Sequence, residues 1–296
     1  MLIASIAALR PHPILGTDDA KQFRRQTGEA FARLMPQVVD AMLANSTAKA
    51  DDLAAGDALL RKMNRGAQTV GDMDALAIRG YVRRVYNDRA FQICELFGAA
   101  QRQSNLPFAR GRRVATLGGG PCCCLAGYRV FEDVAELGGG DGAAPRFYDG
   151  EDGAAPRFYD GEDGAAPRFY AFDYAPTWAP CVAALAAALG EPVAFDACDL
   201  GAPLAARENA ALRAVAPTLD VAILSRTLSE VDRARRDPAW APLLLELWAA
   251  LPRSAIVLVK DEAYVEAEAR RLLPDAETWA ADGVLGTFFR KAPGIS

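Results

Sequence analysis

Histidine is almost absent from this chain of 296 residues, which carries a single imidazole at His12. Mechanisms that need a histidine base, a histidine-activated cysteine or a cluster of histidine metal ligands are therefore disfavoured. Of the six cysteines, Cys122, Cys123 and Cys124 are consecutive, rather than spaced in pairs. That spacing suits neither a disulfide framework nor a zinc site, so no metal site is predicted.

Long apolar runs and an excess of basic residues are also missing. No stretch approaches the roughly 20 apolar residues of a membrane-spanning helix. The apolar run Leu2–Leu9 is short for a signal peptide and has no basic residue ahead of it. We therefore expect a cytoplasmic protein with no membrane partner. The formal net charge of −5 disfavours a protein that mainly grips a phosphate backbone.

The patterning of the chain changes near residue 105. Helical patterns occupy residues 17 to about 105, whereas strands alternate with helices from Arg112 onward, which predicts a mostly parallel sheet with helices on both faces. We predict a helical N-terminal cap over 1–105 and an α/β domain over 106–296. The predicted strands are Val114–Leu117, Arg168–Phe172, Val193–Ala197, Val221–Ser225, Ala255–Val259 and Thr287–Lys291. The predicted helices are Ala20–Leu43, Asp51–Met63, Asp72–Ala100, Cys122–Leu137, Thr177–Leu189, Leu204–Ala214, Pro242–Leu251 and Glu262–Leu273.

A tandem repeat occupies residues 141–170. Its unit DGAAPRFY begins at Asp141, Asp152 and Asp163, with a period of 11 residues. Glycine and proline break helix and strand in every copy, and the period is too short for the usual solenoid units. We interpret the repeat as a duplicated surface loop, because longer loops cost little extra closure entropy. A cation-binding loop through Asp149, Glu151 and Asp152 is the less favoured alternative.

A glycine turn is the most distinctive feature of the sequence. Gly118, Gly119 and Gly120 directly follow the apolar strand Val114–Leu117 and precede an apolar helix. Glycines let the backbone turn tightly and approach a ligand where a side chain would clash. A strand, a glycine turn and a helix in succession indicate a nucleotide or adenosine site at the carboxyl ends of the strands.

Five segments in order resemble the class I S-adenosylmethionine-dependent methyltransferases, over about the last two thirds of the chain. They are the glycine turn with Pro121, Asp173 after the second strand, Phe195–Leu200, Asp220–Glu230 and Gly283–Lys291. The resemblance implies a Rossmann-like α/β fold with an antiparallel last strand. It also implies S-adenosyl-L-methionine as cofactor and transfer of its methyl group as the reaction.

The resemblance assigns roles to particular residues. Asp173 would accept both ribose hydroxyls, Tyr174 would lie beside the adenosine, and Asp199 would accept the adenine amino group. The full implied cofactor set is Gly118, Gly119, Gly120, Asp173, Tyr174, Asp199, Leu200 and Ser225. The alternative for Asp173 and Asp199 is that they are ordinary caps or loop carboxylates.

The acceptor pocket is less defined. Ser225 and Arg226 follow the fourth strand, where the family faces the transferred methyl group, and Tyr81 or Tyr86 could reach over the cofactor from the helical region. A sulfonium methyl is already activated, so no strong base is needed. The fourth strand lacks the Asn/Asp-Pro-Pro-aromatic run of adenine amino methylators and the cysteine nucleophile of cytosine C5 enzymes. We expect a small-molecule acceptor rather than a nucleic acid.

Two residues depart from the family pattern. Thr116 stands where the family has an acidic residue, and Cys122 replaces the last glycine, although a Cβ disfavours positive φ. These departures motivate an alternative, a catalytically inactive methyltransferase-like binding or assembly protein. A third alternative is an NAD(P)-dependent oxidoreductase, but Cys123 occupies the last glycine position of its phosphate-binding motif.

Overall fold

The computed structural model describes residues 18–43, 49–64, 73–104, 106, 108, 111–135, 167–234, 238–280 and 286–291. The predicted repeat loop over 141–170 lies outside these residues, apart from 167–170. The helices are α1 (Asp18–Met42), α2 (Lys49–Asn64), α3 (Ala75–Gln103), α4 (Cys123–Val134), α5 (Ala179–Leu189), α6 (Ala210–Val215), α7 (Leu228–Ala234), α8 (Ala241–Ala250) and α9 (Ala263–Leu272). The strands are β1 (Val114–Leu117), β2 (Phe169–Asp173), β3 (Val193–Ala197), β4 (Val221–Ser225), β5 (Ile256–Lys260), β6 (Ala276–Ala280) and β7 (Thr287–Lys291).

These strands form one seven-stranded sheet in the order β3-β2-β1-β4-β5-β7-β6. Strands β1 to β5 are parallel, and β7 runs antiparallel to both β5 and β6. The central strands β1, β2, β4 and β5 are almost entirely buried, because both faces of the sheet are covered. The predicted fold class, an α/β sheet with an antiparallel last strand and preceding helices, is confirmed.

Helices cover the two faces of the sheet separately. One face carries Val114, Ile223 and Leu258 against helices α1 to α5, and the other carries Leu117 and Val257 against α6 to α9. The first apolar cluster also contains residues of α1, α2 and α3, so these N-terminal helices share a core with the sheet. The domain boundary near residue 105 stays a prediction.

Helices α2 and α3 cross with their backbones in contact. A Cβ on Gly80 would lie 1.8 Å from the Asp52 carbonyl oxygen and 2.5 Å from the Gly56 nitrogen. The Asp52 side chain is fully buried and accepts hydrogen bonds from Arg79 Nε at 2.8 Å and Arg83 Nε at 2.9 Å. Small residues at the crossing and this buried ion pair therefore fix the position of α3, which reaches the sheet.

One predicted helix is shorter than expected. The pattern predicts a helix over Leu204–Ala214, whereas the structure has α6 at Ala210–Val215 after a short 3₁₀ turn, Arg207–Asn209. Asn209 is the reason, because its buried amide donates to the carbonyls of Ala202 and Pro203 at 3.2 and 3.0 Å. A side chain that binds these carbonyls holds the segment in a turn instead of a helix.

Within the described ranges, no helix combines the length and apolar character needed to cross a bilayer.

Candidate functional site

The predicted glycine turn follows β1 and adopts a left-handed backbone. Gly118 has φ +64° and Gly120 has φ +52°, a region that favours glycine. A Cβ on Gly118 would lie 2.2 Å from Thr227 Cγ2, so only glycine fits here. The Gly118 N–H donates to the Phe172 carbonyl at 2.7 Å, which ties the turn to the end of β2.

Asp173 lies directly against this turn. Its Oδ2 accepts from the Gly120 N–H at 2.8 Å, and its Oδ1 accepts from the Ala175 N–H at 2.9 Å. Burial raises the pKa of Asp173, and the backbone donors oppose that shift by stabilising the charged form. Each carboxylate oxygen has a second lone pair, so Asp173 can hold the turn and still accept hydroxyl donors.

The loop after β3 reaches the same turn. Leu200 Cδ1 lies 3.0 Å from the position of a Cβ on Gly118. The Asp199 carboxylate accepts from the Gly201 N–H at 2.8 Å, and its backbone exchanges hydrogen bonds with the Asn209 side chain at 2.9 and 3.0 Å. Asn209 therefore fixes the conformation of the loop that follows β3. The sequence analysis missed this residue, because a single asparagine outside any motif does not indicate a role.

The two tyrosine candidates of α3 lie in different surroundings. The Tyr81 ring lies 5.5 Å from the Trp178 ring, and Trp178 Cε2 lies 3.6 Å from the position of a Cβ on Gly120. Tyr81 accepts a hydrogen bond from Arg89, and burial raises its pKa. Tyr86 is fully buried, with the thiols of the nearby helices as its electrostatic neighbours. Tyr81 is thus beside the turn, whereas Tyr86 is a core residue.

Tyr174 is exposed at the same edge of the sheet. Its side chain retains 56% of its accessible surface, which makes it one of the few large exposed apolar residues in the described chain. It directly follows Asp173, so its ring is available to an adenine-sized group held by that carboxylate. Trp178 and Arg89 were not predicted, because isolated residues carry no periodic signal.

Cys122 and Thr116, the two residues that depart from the family pattern, both fit the turn. Cys122 adopts φ 62° and ψ 31° at the start of α4, so the chain keeps the left-handed turn with a cysteine where glycine is expected. Thr116 packs its side chain against Gly119, within 2.6 Å of where a Cβ would stand. Its buried hydroxyl lies near the Cys124 thiol of α4, whose pKa it lowers.

A second polar group lies at the ends of β4 and β5. Ser225 and Lys260 are register partners, and the Arg226 N–H donates to the Lys260 carbonyl at 2.8 Å. Lys260 is buried, which lowers its pKa to about 8, with Arg226 as the next largest cause. The hydroxyls of Thr116 and Ser225 lower the pKa of the buried Cys124 thiol, which interacts most strongly with Cys123.

The strand order decides the fold. A Rossmann sheet has the order 3-2-1-4-5-6, whereas here a seventh strand is inserted antiparallel between β5 and β6. The fold is that of the class I S-adenosylmethionine-dependent methyltransferases. The resemblance stated from the sequence is therefore confirmed at the level of the fold, and in this fold the glycine turn and the β2 carboxylate lie where the cofactor site is expected.

Comparison with known proteins gives two similar solved structures. No protein-family model matches the chain, and no curated protein matches it. A 16S rRNA methyltransferase, RmtF, in complex with S-adenosyl-L-homocysteine is 15% identical, with 98% of each chain covered and a TM-score of 0.39. The 16S rRNA methylase RmtB is 13% identical, with 98% of this chain and 97% of that chain covered and a TM-score of 0.38.

These structures correct one prediction. The sequence was interpreted as favouring a small-molecule acceptor, but both similar structures are named for a ribosomal RNA acceptor. The net charge of the whole chain was a poor guide, because it says nothing about where cationic side chains lie. A small-molecule acceptor is not carried further.

Proposed function

We propose that this chain is an S-adenosylmethionine-dependent methyltransferase that acts on RNA. The observation that carries the proposal is the 2.8 Å hydrogen bond from the Gly120 N–H to Asp173 Oδ2. It joins a turn without side chains to a carboxylate at the carboxyl edge of a sheet with this strand order. Open α/β sheets bind their ligands at that edge.

The residues present fit the cofactor. The glycine turn leaves backbone N–H groups and space, Asp173 keeps lone pairs for two ribose hydroxyls, and the exposed Tyr174 ring suits adenine. The loop of Asp199 and Leu200 lies next to Gly118 and would face the adenine edge. Bound S-adenosylmethionine supplies a methyl group already activated by a sulfonium centre.

The aromatic side chains beside the glycine turn would position the cofactor and shield it from water. The Tyr81 and Trp178 rings flank the turn from α3 and the segment before α5, so they would exclude water from the methionine end of the cofactor. The half-buried Arg89 guanidinium donates a hydrogen bond to the Tyr81 hydroxyl and fixes the position of this ring. Aligning the acceptor in line with the methyl group is the main remaining requirement.

Two cationic side chains at the carboxyl ends of β4 and β5 support an RNA acceptor. The exposed Arg226 directly follows β4 and the buried Lys260 is the last residue of β5, where the acceptor would enter. Phosphate oxygens of RNA are the natural partners of such side chains. The overall net charge of −5 is compatible with this arrangement because binding depends on the local field.

A labelled-methyl assay tests the proposed function. Protein incubated with methyl-tritiated S-adenosylmethionine is expected to label the RNA of intact small ribosomal subunits or free 16S rRNA, and the Asp173→Ala variant is expected to label neither. Binding of S-adenosylhomocysteine without labelling of either RNA would contradict the proposed reaction and favour the inactive binding protein. Binding of NADH in place of S-adenosylhomocysteine would favour an oxidoreductase.

A further inference from the structure

Three polar side chains lie on one face of the sheet, at the carboxyl ends of neighbouring strands. Side chains alternate between faces along a strand, and Val114, Ile223 and Leu258 face helices α1 to α5. Thr116, Ser225 and Lys260 each stand two residues further along these strands, so they share that face. These polar side chains thus form a row near the carboxyl ends of β1, β4 and β5, on the face of the sheet that α3 and α4 cover.

The Lys260 ammonium is buried, and the charged side chains with the largest effect on it, Arg226 and Arg89, are also cations. Its side chain is 6% exposed, and the groups with the largest electrostatic effect on it are Arg226 after β4, Cys124 and Cys123 of α4, and Arg89 of α3. None of these is a carboxylate. The adjacent Asp261 carboxylate is engaged elsewhere, since it accepts from the Leu228 N–H at 2.9 Å and the Ser229 N–H at 3.3 Å.

Buried charges are normally paired, because an unpaired one costs free energy. The strongest electrostatic neighbours of Lys260 are two arginines and two thiols, so an oxyanion from outside the chain would stabilise its charged form. The Glu230 carboxylate of this region acts on Arg89 and Tyr81. The buried Thr116 hydroxyl lies on the same face and acts on the Cys124 thiol, one of the groups that also act on Lys260.

Arg226 adds an exposed cation held in a strained conformation. It is one of two non-glycine residues with positive φ in the described chain, at +57°. Its N–H donates to the Lys260 carbonyl at 2.8 Å, so the two residues are held together through their backbones. A non-glycine residue in this region costs about 1–2 kcal/mol, and such strain is concentrated at functional sites.

The position of the pair separates it from the adenosyl end of the cofactor. Asp173 and Asp199 follow β2 and β3 on one side of β1, whereas Arg226 and Lys260 follow β4 and β5 on the other. With neighbouring strands about 4.8 Å apart, β5 lies roughly 10 Å from β1. The pair therefore faces the acceptor.

We propose that Lys260 and Arg226 form an oxyanion subsite that holds a phosphodiester of the acceptor RNA. The inference rests on the proposed function for the identity of the anion. An ammonium and a guanidinium make the charge-assisted hydrogen bonds that phosphate oxygens accept most strongly. The subsite would fix the RNA strand next to the nucleotide that receives the methyl group.

Sulfate is the probe that tests the subsite without any RNA. It is a tetrahedral oxyanion whose charge does not change near neutral pH. Sulfate at constant ionic strength is expected to raise the Tm of the wild-type protein, and Lys260→Met is expected to lower the apparent sulfate affinity about tenfold, the effect of losing one charge-assisted bond. Lys291→Met is the matched control, because that lysine binds the Ala249 and Leu251 carbonyls at the opposite edge of the sheet.

The variants also separate a binding role from a structural one. Without sulfate, Lys260→Met is expected to have a higher Tm than wild type, because it removes a buried charge whose strongest charged neighbours are Arg226 and Arg89. Arg226→Gly removes the guanidinium and relieves the positive φ, so it too is expected to gain Tm and lose sulfate affinity. A lower Tm with unchanged sulfate affinity in both variants would assign them a structural role and overturn the proposal.

The source of the oxyanion is settled by two cofactor analogues. S-Adenosylhomocysteine carries a carboxylate, whereas 5′-methylthioadenosine does not. If the anion belongs to the acceptor, Lys260→Met binds both compounds as wild type does. Selective loss of S-adenosylhomocysteine affinity would assign the subsite to the cofactor carboxylate and overturn the acceptor assignment. Failure of wild type to bind either compound would refute the proposed function while leaving the sulfate result interpretable.

Discussion

Replacing Asp173 by alanine is expected to lower the affinity for S-adenosylhomocysteine by about 100-fold or more. The carboxylate fixes the Gly120 and Ala175 N–H groups at 2.8 and 2.9 Å and would also accept the ribose hydroxyls. Each hydrogen bond to a charged group contributes about 1.5–3 kcal/mol, and 1.4 kcal/mol is tenfold in affinity. Isothermal titration calorimetry measures the change directly.

Asp196→Ala is the matched control for this substitution. Asp196 is an exposed carboxylate on the neighbouring strand β3, and its Oδ1 accepts from its own neighbour, the Ala197 N–H, at 2.8 Å. We expect affinity within a factor of two of wild type. Asp173→Asn is expected to be nearly as weak as alanine, because its NH₂ group would face a backbone N–H. Equal affinities for the two alanine variants would place the cofactor elsewhere.

Gly80→Ala is expected to destabilise the protein by about 3 kcal/mol or more. This is the upper end of the usual cost of overpacking, because the added methyl group would meet backbone atoms, which cannot move aside as a side chain can. The added Cβ would lie 1.8 Å from the Asp52 carbonyl oxygen and would separate α2 from α3. That separation also weakens the pairing of the buried Asp52 with Arg79 and Arg83. Urea unfolding followed by circular dichroism measures the loss.

Gly28→Ala makes the same chemical change where there is room. Among the described residues, no atom beyond the local backbone of α1 lies within 4 Å of a Cβ on Gly28, which is in the interior of this helix. Alanine is expected to stabilise this helix by about 0.5–1 kcal/mol relative to glycine. A Gly80 variant as stable as the Gly28 variant would contradict the backbone contact between α2 and α3.

The sheet was largely predictable, and the reason is burial. All six predicted strands are present, four with the same bounds, because strands covered on both faces are mostly apolar and stand out from the helical patterns around them. Strand β6 was missed because Ala276–Ala280 is a polar edge strand, mostly exposed, whose partner β7 is needed to define it. Helix α7 was missed because its first N–H groups are satisfied by Asp261, a residue 33 positions away from Leu228.

The site was predictable in part. The order of the glycine turn and Asp173 in the sequence pointed to one edge of the sheet, and the structure brings them into hydrogen-bond contact. Trp178, Asn209 and Lys260 were missed, because each is a single residue whose surroundings exist only after folding. The small-molecule prediction rested on the summed charge of the chain, which contains no information on where the cationic side chains lie.

A crystal structure with S-adenosylhomocysteine tests the central claim most directly. The ribose hydroxyls are expected within hydrogen-bond distance of the Asp173 carboxylate, with the methionine part along Gly118 to Gly120 and the adenine beside Tyr174. Its sulfur should face the ends of β4 and β5. Density for the ligand away from this turn, or a nucleotide other than an adenosyl sulfur compound bound at Asp173, would contradict the proposed site and the methyltransferase activity together.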